Sequence, residues 1–203
     1  MTDIIQLKIT LMDVDPPVWR RVQVPADYPL RRVHDVIQAT MGWFDMHLHE
    51  FRIGGKIYGE PDIEGDLAFG TQGTRIHSDR NVKLGTIVAR GVPTFDYVYD
   101  FGDDWRHEVA VEKVMPSEDG VDYPVLLDWS GACPPEDCGG STGYADFLAA
   151  INDPDHEEHD EVADWWGEDS FDTGFLDLEA VRAMLGRIRA ARRTVPRRKA
   201  TEP

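Results

Sequence analysis

The residues of this chain best suited to chemistry are histidines, cysteines and acids in three short segments. A pair of cysteines that encloses two prolines and two acids, together with histidines, makes an acceptable zinc set, because Zn²⁺ prefers tetrahedral sulfur and nitrogen ligands. The candidate metal ligands are His47, His49, His107, Cys133 and Cys138. His47 and His49 are two residues apart, so on a strand both side chains would point to one face. Zinc is therefore the first metal that the sequence suggests.

A second polar set surrounds a predicted hairpin turn. The candidate catalytic residues are Asp100, Asp103, Asp104 and His107. Carboxylates are hard oxygen ligands, so Mg²⁺ or Mn²⁺ is the alternative to zinc. Around a metal ion that activates water, these residues would be the ligands or the general base of a hydrolase or nuclease.

The alternative interpretation gives the same residues structural roles. Cys133 and Cys138 would be small buried residues beneath a tight loop, and the histidines would bond to backbone groups. Asp103 and Asp104 are ordinary turn residues that need no metal. The metal site is therefore one of two interpretations.

Two aromatic pairs are candidates for an exposed recognition surface. Trp43 and Phe44 follow a predicted helix, and Trp165 and Trp166 lie in an acidic segment. Core packing is the alternative for each of them, since aromatic side chains bury large apolar areas.

The charge of the chain limits its partners. Lys and Arg number 21 against 38 Asp and Glu, which gives a net charge of −17 over 203 residues. Affinity for nucleic acid comes largely from cations that displace condensed counterions. The basic residues cluster near the C-terminus, so only these arginines could bind nucleic acid, and a protein is the expected partner. Without a long apolar run or a signal-peptide pattern, we expect a cytoplasmic protein with no membrane partner.

Hydrophobic periodicity predicts strands and one helix in the first half of the chain. The predicted strands are 4–11, 18–24, 49–53, 56–58, 95–101 and 105–112, and the predicted helix runs from Leu30 to Met41 and ends at Gly42. This order favours an α+β fold in which a β-grasp-like (ubiquitin-like) mixed sheet clasps one helix, with an α-helical C-terminal part.

Composition divides the chain into three parts. Residues 1–115 form the β-grasp-like sheet domain, and residues 116–191 form a loop and helical part packed on it, with helices at about 142–151, 155–166 and 177–191. Residues 192–203 are expected to be a basic disordered tail.

Four segments carry a family resemblance. They are PPVWRR (16–21), MGW with HLHEF (41–43 and 47–51), YDFGDDWRH (99–107) and CPPEDCGG (133–140). With these motifs the chain resembles the plasmid pRiA4b ORF-3-like family, also called the insertion-element passenger TnpR family, over residues 4 to about 185. The resemblance implies a bacterial or archaeal protein associated with plasmids and transposable elements.

The TnpR label suggests a site-specific resolvase, but the residues do not support that chemistry. A serine resolvase uses a serine near its N-terminus surrounded by arginines, whereas the first serine here is Ser78, with only Arg75 and Arg80 close to it in the sequence. The leading hypothesis is therefore a binding or regulatory accessory protein without catalysis. The alternatives are the metal-dependent hydrolase or nuclease and a DNA-associated protein that uses its C-terminal arginines.

Overall fold

The computed structural model of the chain describes residues 2–61 and 75–193, and it describes side chains as far as residue 190. Of the basic tail expected at 192–203, residues 192 and 193 are helical, and residues 194–203 lie outside the described residues.

The described residues form eight strands, five α-helices and a 3₁₀ turn at Asp79–Asn81. The strands are β1 (Asp3–Leu11), β2 (Val18–Pro25), β3 (His49–Ile53), β4 (Lys56–Gly59), β5 (Ile76–Ser78), β6 (Thr94–Tyr99), β7 (Trp105–Pro116) and β8 (Val125–Ser130). The helices are α1 (Leu30–Met41), α2 (Leu84–Val88), α3 (Gly140–Ile151), α4 (His159–Trp166) and α5 (Leu178–Arg193).

All eight strands belong to one sheet in the order β5-β4-β3-β6-β7-β1-β2-β8. Every neighbouring pair is antiparallel except β4 and β5, which are parallel. The expected α+β class is confirmed. The finer expectation of a β-grasp is not confirmed, since β1 lies between two antiparallel neighbours within a sheet of eight strands.

The core forms where α1 packs on one face of the sheet. Apolar residues on α1 recur at helical spacing, including Val33 and Ile37, and they lie with Leu7 and Ile9 of β1 in one buried cluster. Val181 and Leu185 of α5 belong to the same cluster, so residues from both sides of position 115 share a core. The proposed boundary between a sheet domain and a helical part stays a prediction.

Gly42 follows the last residue of helix α1 and caps it with a φ of 100°. Its N–H bonds to the carbonyl oxygen of Gln38, and this left-handed cap favours glycine because other residues carry a steric cost there. The chain then turns, so that Trp43 is only 2% exposed and its indole N–H donates to the carbonyl oxygen of Pro134 at 3.0 Å. The end of α1 is thereby attached to the loop that precedes α3.

Arg20 of β2 is a fully buried cation whose hydrogen-bond partners among the described residues are all backbone carbonyls. Its Nε donates to Thr40 in the last turn of α1, and its Nη1 donates to Trp19, Ser130 and Gly131, all within 3.0 Å. Burial lowers the pKa of Arg20, and none of the described carboxylates forms an ion pair with it. The guanidinium therefore connects β2, α1 and the residues that follow β8.

We expect Arg20→Ala to lower the free energy of unfolding by about 3 kcal/mol, because buried carbonyls lose their donor. Arg21→Ala is the matched control: its side chain is partly exposed and pairs with Glu112 and Asp128, so the loss should stay below about 1 kcal/mol. Urea denaturation of both variants measures the difference. Equal losses would show that Arg20 does not have this structural role.

Candidate functional site

Three loops meet at one end of the sheet. They are residues 42–48 after α1, the turn 100–104 between β6 and β7, and residues 131–139 before α3. The backbone N–H of Asp100 donates to the carbonyl of Leu48 at 2.9 Å, which joins the first two loops. The N–H of Phe44 donates to Glu136 Oε1 at 2.9 Å, which joins the first and the third.

The turn between β6 and β7 lies directly against the third loop. Asp103 accepts a hydrogen bond from the N–H of Gly139 at 3.2 Å. A Cβ at Gly140 would lie 2.6 Å from the carbonyl oxygen of Asp103, closer than real Cβ contacts allow. Glycine at position 140 is therefore what lets these two loops approach.

His47 lies where the three loops meet, and its Nε2 faces three carboxylates. Nε2 is 3.1 Å from Asp137 Oδ1, 3.6 Å from Asp100 Oδ2 and 3.9 Å from Glu136 Oε2. We call these four residues the His47 cluster. His47 lies in the loop before β3, so strand alternation does not relate it to His49. The structure thus brings together two of the residues proposed from the sequence, His47 and Asp100, and adds Glu136 and Asp137.

Tyr99 fixes one carboxylate of the His47 cluster. Its hydroxyl lies 3.1 Å from Glu136 Oε1 and accepts from the N–H of Met46 at 3.0 Å. Burial, and next the negative charge of Glu136, raise the pKa of Tyr99. The phenol therefore stays protonated and donates to the carboxylate.

The backbone at two carboxylates of the His47 cluster has a positive φ, 55° at Asp100 and 58° at Asp137. Aspartate tolerates this left-handed region better than most residues. Asp100 also accepts a hydrogen bond from the N–H of Gly102 through Oδ1 at 2.9 Å, which leaves Oδ2 directed toward His47.

The two cysteines do not join the histidines. Both are free thiols, and burial is the main cause that raises the pKa of each, to about 12 for Cys138. Among the described side chains, the groups spaced closely enough to hold a metal are His47 with Asp100 and Asp137, and His34 with Asp45 and His49; neither contains a cysteine. The zinc set predicted from the sequence is therefore not assembled in this structure.

His107 is also apart from the His47 cluster. It is buried, its Nδ1 donates to the carbonyl of Trp105 at 3.1 Å, and its ring meets that of Trp43 edge-on at 5.4 Å. Burial lowers its pKa to about 4, so the ring is neutral. Asp104, a further candidate, forms an exposed ion pair with Arg106. Among the described side chains, no closely spaced group that could hold a metal contains more than one of the four predicted catalytic residues.

His49 stacks on His34 of α1, with ring centroids 3.6 Å apart. His49 Nε2 lies 3.0 Å from Asp79 Oδ2, and His34 Nε2 lies 2.9 Å from Asp45 Oδ1. His34 and Asp79 were not among the sequence candidates, because nothing in their local pattern marks them. Asp79 follows the undescribed segment 62–74.

The ring of His34 has a partner at each nitrogen. Nδ1 lies 2.8 Å from the hydroxyl of Tyr97, which in turn accepts from Gln38 Nε2 at 3.1 Å. Burial lowers the pKa of His34 to about 4. The neutral ring accepts from Tyr97 and donates through Nε2–H to Asp45, which satisfies both nitrogens.

A groove of about 1030 Å³ opens beside the His47 cluster, between the end of α1, residues 132–137 and the two helices α4 and α5. Its large apolar lining residues are Met41, Trp43, Phe44, Met46, Trp165, Trp166, Phe171, Phe175, Leu176 and Met184. We call it the aromatic groove. All four aromatic residues proposed from the sequence line it, although Trp43 is also part of the core.

The charged residues along the aromatic groove are all acidic. They are Glu136, Asp137, Glu168, Asp172 and Asp177. No lysine, arginine or histidine is among the described residues that line it. Glu136 and Asp137 belong to the His47 cluster as well, so the cluster forms one end of the groove.

Comparisons with known proteins find similar chains in bacteria and archaea. The family model described as plasmid pRiA4b ORF-3-like protein matches residues 3–180. The uncharacterized protein y4hQ of Sinorhizobium fredii is 38% identical over 200 residues, covering 98% of this chain and 99% of that protein. The crystal structure of MM3350, a protein of unknown function from Methanosarcina mazei Go1, has a TM-score of 0.77 and 34% identity, covering 89% of this chain and 97% of MM3350.

None of the helices in the described part of the chain is both long enough and apolar enough to span a bilayer.

The two buried neutral histidines, His34 and His107, predict acid sensitivity. Their folded pKa values of about 4 lie below the unfolded value of about 6.5. As the pH falls from 6.5 toward 4, the unfolded chain binds protons that the native state excludes, so stability decreases. At pH 5.5 each histidine should cost about 1.4 kcal/mol relative to pH 7.5.

Urea denaturation at pH 7.5 and pH 5.5 measures this dependence. His107→Gln should remove about half of it, whereas His156→Gln, on the surface near α4, should leave it unchanged. A His107 variant with the full wild-type dependence would contradict the assignment.

Proposed function

This chain belongs to the plasmid pRiA4b ORF-3-like family, and we propose that it is a protein-binding accessory module whose aromatic groove holds a cationic, amphipathic segment of a partner protein. The observation that carries the proposal is the combination, in one groove, of exposed aromatic side chains with charges of a single sign. The plasmid in the family's description supports a context of plasmid or mobile-element biology.

Exposed apolar residues at the groove support binding of an apolar surface. Phe44 is 74% exposed, and Met46, Phe175 and Trp165 are each more than half exposed. Contiguous exposed apolar surface marks interaction sites in soluble proteins, and aromatic residues are enriched where a few residues carry most of the binding energy. A partner would bury these side chains and release the water around them.

The acidic rim supports a cationic partner. Five acids line the groove without a basic residue among the described ones, and the whole chain carries a net charge of −17. Charge complementarity steers encounter and disfavours partners of the same sign. A nucleic acid or an acidic peptide would be repelled, while a segment rich in lysine or arginine would be attracted.

The size of the groove favours a peptide segment over a small molecule. Its volume of about 1030 Å³ reaches the upper end of the range for small-molecule pockets, about 300–1,000 Å³, and Phe44 and Phe175 along it are open to solvent. An amphipathic helix can insert the apolar residues of one face into such a groove while its charged face meets the rim.

The two alternative functions have less support. A hydrolase or nuclease built on Asp100, Asp103, Asp104 and His107 would need these side chains to converge, and only Asp100 of the four belongs to a closely spaced group of the described side chains. DNA association through the C-terminal arginines stays a prediction, since residues 194–203 of that segment lie outside the described residues. It predicts strongly salt-dependent binding that deletion of residues 182–203 abolishes.

Binding to a synthetic helix tests the proposal. The probe is a labelled lysine- and leucine-based amphipathic helix of about five turns, and fluorescence anisotropy gives its affinity. A scrambled peptide of the same composition and an acidic counterpart are the comparison ligands. We expect Phe175→Ser and Trp165→Ala each to weaken binding about tenfold or more.

Leu127→Ser is the matched control, because Leu127 is an exposed apolar residue of β8 that is not among the groove residues. It should bind the probe like the wild type. Equal affinity for the scrambled peptide, or wild-type affinity of the Phe175 variant, would contradict the proposal. Tighter binding of a neutral amphiphile such as a long-chain alcohol would assign the groove to a small ligand instead.

Reversing one rim charge tests the electrostatic part. Glu168→Lys should weaken binding of the cationic probe by about 0.5–1 kcal/mol, two- to fivefold, and high salt should reduce the difference. Glu108→Lys changes the net charge equally on the exposed side of β7 and should have a smaller effect. Equal effects of both variants would show that only net charge matters.

A further inference from the structure

We propose that the His47 cluster binds one divalent cation of a first-row transition metal, through His47, Asp100, Glu136 and Asp137. This inference does not depend on what occupies the aromatic groove, because it rests on the geometry and charge of these four side chains alone.

The distances match a metal coordination shell. A protein nitrogen or oxygen lies about 2.0–2.2 Å from such an ion, so two ligands of one ion are about 3 Å apart at a right angle and about 4 Å apart when opposite. The three carboxylate oxygens lie 3.1, 3.6 and 3.9 Å from His47 Nε2. His47, Asp100 and Asp137 lie close enough together for one ion to contact all three. Glu136, whose carboxylate bonds to Tyr99, would join them through a movement of its side chain.

The charges at the His47 cluster are not balanced by protein cations. Asp100, Glu136 and Asp137 bring three carboxylates together, and His47 is the basic residue with which each of them pairs in the described part of the chain. The side chains of Asp100 and Glu136 are only 10% and 15% exposed, whereas that of Asp137 is 71% exposed. Burying carboxylates such as the first two without compensating charge costs free energy. A dication would supply the charge that a single imidazole does not.

Asp100 gives independent evidence of a missing partner. Its side chain is only 10% exposed, and Oδ1 accepts from Gly102. Oδ2 faces His47 Nε2 at 3.6 Å, which is too long for a hydrogen bond.

His47 Nε2, which faces Asp100, also lacks a hydrogen-bond partner. It is shielded from solvent and forms no hydrogen bond, although Asp137 Oδ1 is 3.1 Å away. Buried polar atoms nearly always have a partner, and Asp100 Oδ2 lies 3.6 Å from this nitrogen on a separate loop. A ligand that contacts both would satisfy them together.

The donor set selects the kind of cation. Mg²⁺ and Ca²⁺ take oxygen ligands, whereas imidazole suits Zn²⁺ and its neighbours and carboxylates suit Mn²⁺. One imidazole with three carboxylates therefore fits Mn²⁺ or Zn²⁺. The other closely spaced group, His34 with Asp45 and His49, is a weaker candidate because both nitrogens of His34 already have hydrogen-bond partners.

Titration of the full chain with Mn²⁺ tests the proposal. The protein is treated with a chelator, dialysed and titrated, and electron paramagnetic resonance measures the free ion; displacement by Zn²⁺ gives the relative affinity. We expect one saturable site per chain. His47→Gln and Asp100→Asn should each weaken Mn²⁺ binding at least about tenfold, since even residues behind the ligands have effects of 10- to 100-fold.

The variants are chosen so that a change in folding does not confuse the result. Asparagine tolerates a positive φ and can still accept from Gly102, so Asp100→Asn should retain the thermal melting profile of the metal-free wild type. His156→Gln, which changes a histidine within an acidic stretch, is the matched control and should bind Mn²⁺ like the wild type. Phe175→Ser should also leave the metal affinity unchanged.

Three results would overturn the proposal. They are no saturable binding of Mn²⁺ or Zn²⁺ to the wild type, wild-type affinity in both His47→Gln and Asp100→Asn, and an equal loss in His156→Gln. Because no peptide is present in this titration, its failure would leave the proposed function of the aromatic groove unaffected, and failure of peptide binding would leave the metal result unaffected.

Discussion

The buried guanidinium of Arg20 is the contact on which the geometry of the site depends. A charge in a protein interior is costly unless hydrogen bonds satisfy it, and here the partners are backbone carbonyls from β2, the last turn of α1 and the start of the loop after β8. This loop continues to Glu136 and Asp137, while α1 continues to Trp43 and His47. One side chain therefore sets the distance between the segments that form the His47 cluster and one wall of the groove.

Much of the fold could be predicted from local patterns. Alternation predicted β1 and β2, helical spacing predicted α1, and the predicted strands 49–53 and 56–58 correspond to β3 and β4. The strand β8 was missed because it lies at the edge of the sheet and is only half-buried, so its apolar residues do not alternate clearly. Helix α4 begins at His159 and not at residue 155, since turns occupy the acidic residues before it.

The candidate site could be predicted only in part. His47 and Asp100 were recognised by residue type. Their partners, Glu136 and Asp137, come from a loop that is distant in the sequence, and there the two acids were interpreted only as residues enclosed by the cysteine pair. The cysteines attracted the metal prediction because thiolate spacing is a familiar signal, whereas burial keeps these thiols protonated. Glu136 and Asp137 directly follow Pro134 and Pro135, so the prolines hold both acids in a rigid loop. That rigidity was the feature of the sequence from which their role in the site could have been predicted.

The dispersal of the site along the chain has a consequence for folding kinetics. Phe44 and Glu136 are 92 positions apart, so the three loops meet only after long-range strand pairing has closed most of the sheet. During synthesis a nascent chain would carry His47 and Asp100 long before their remaining partners emerge. A ligand that needs all three loops would then act mainly by slowing unfolding, since its contacts form after the transition state.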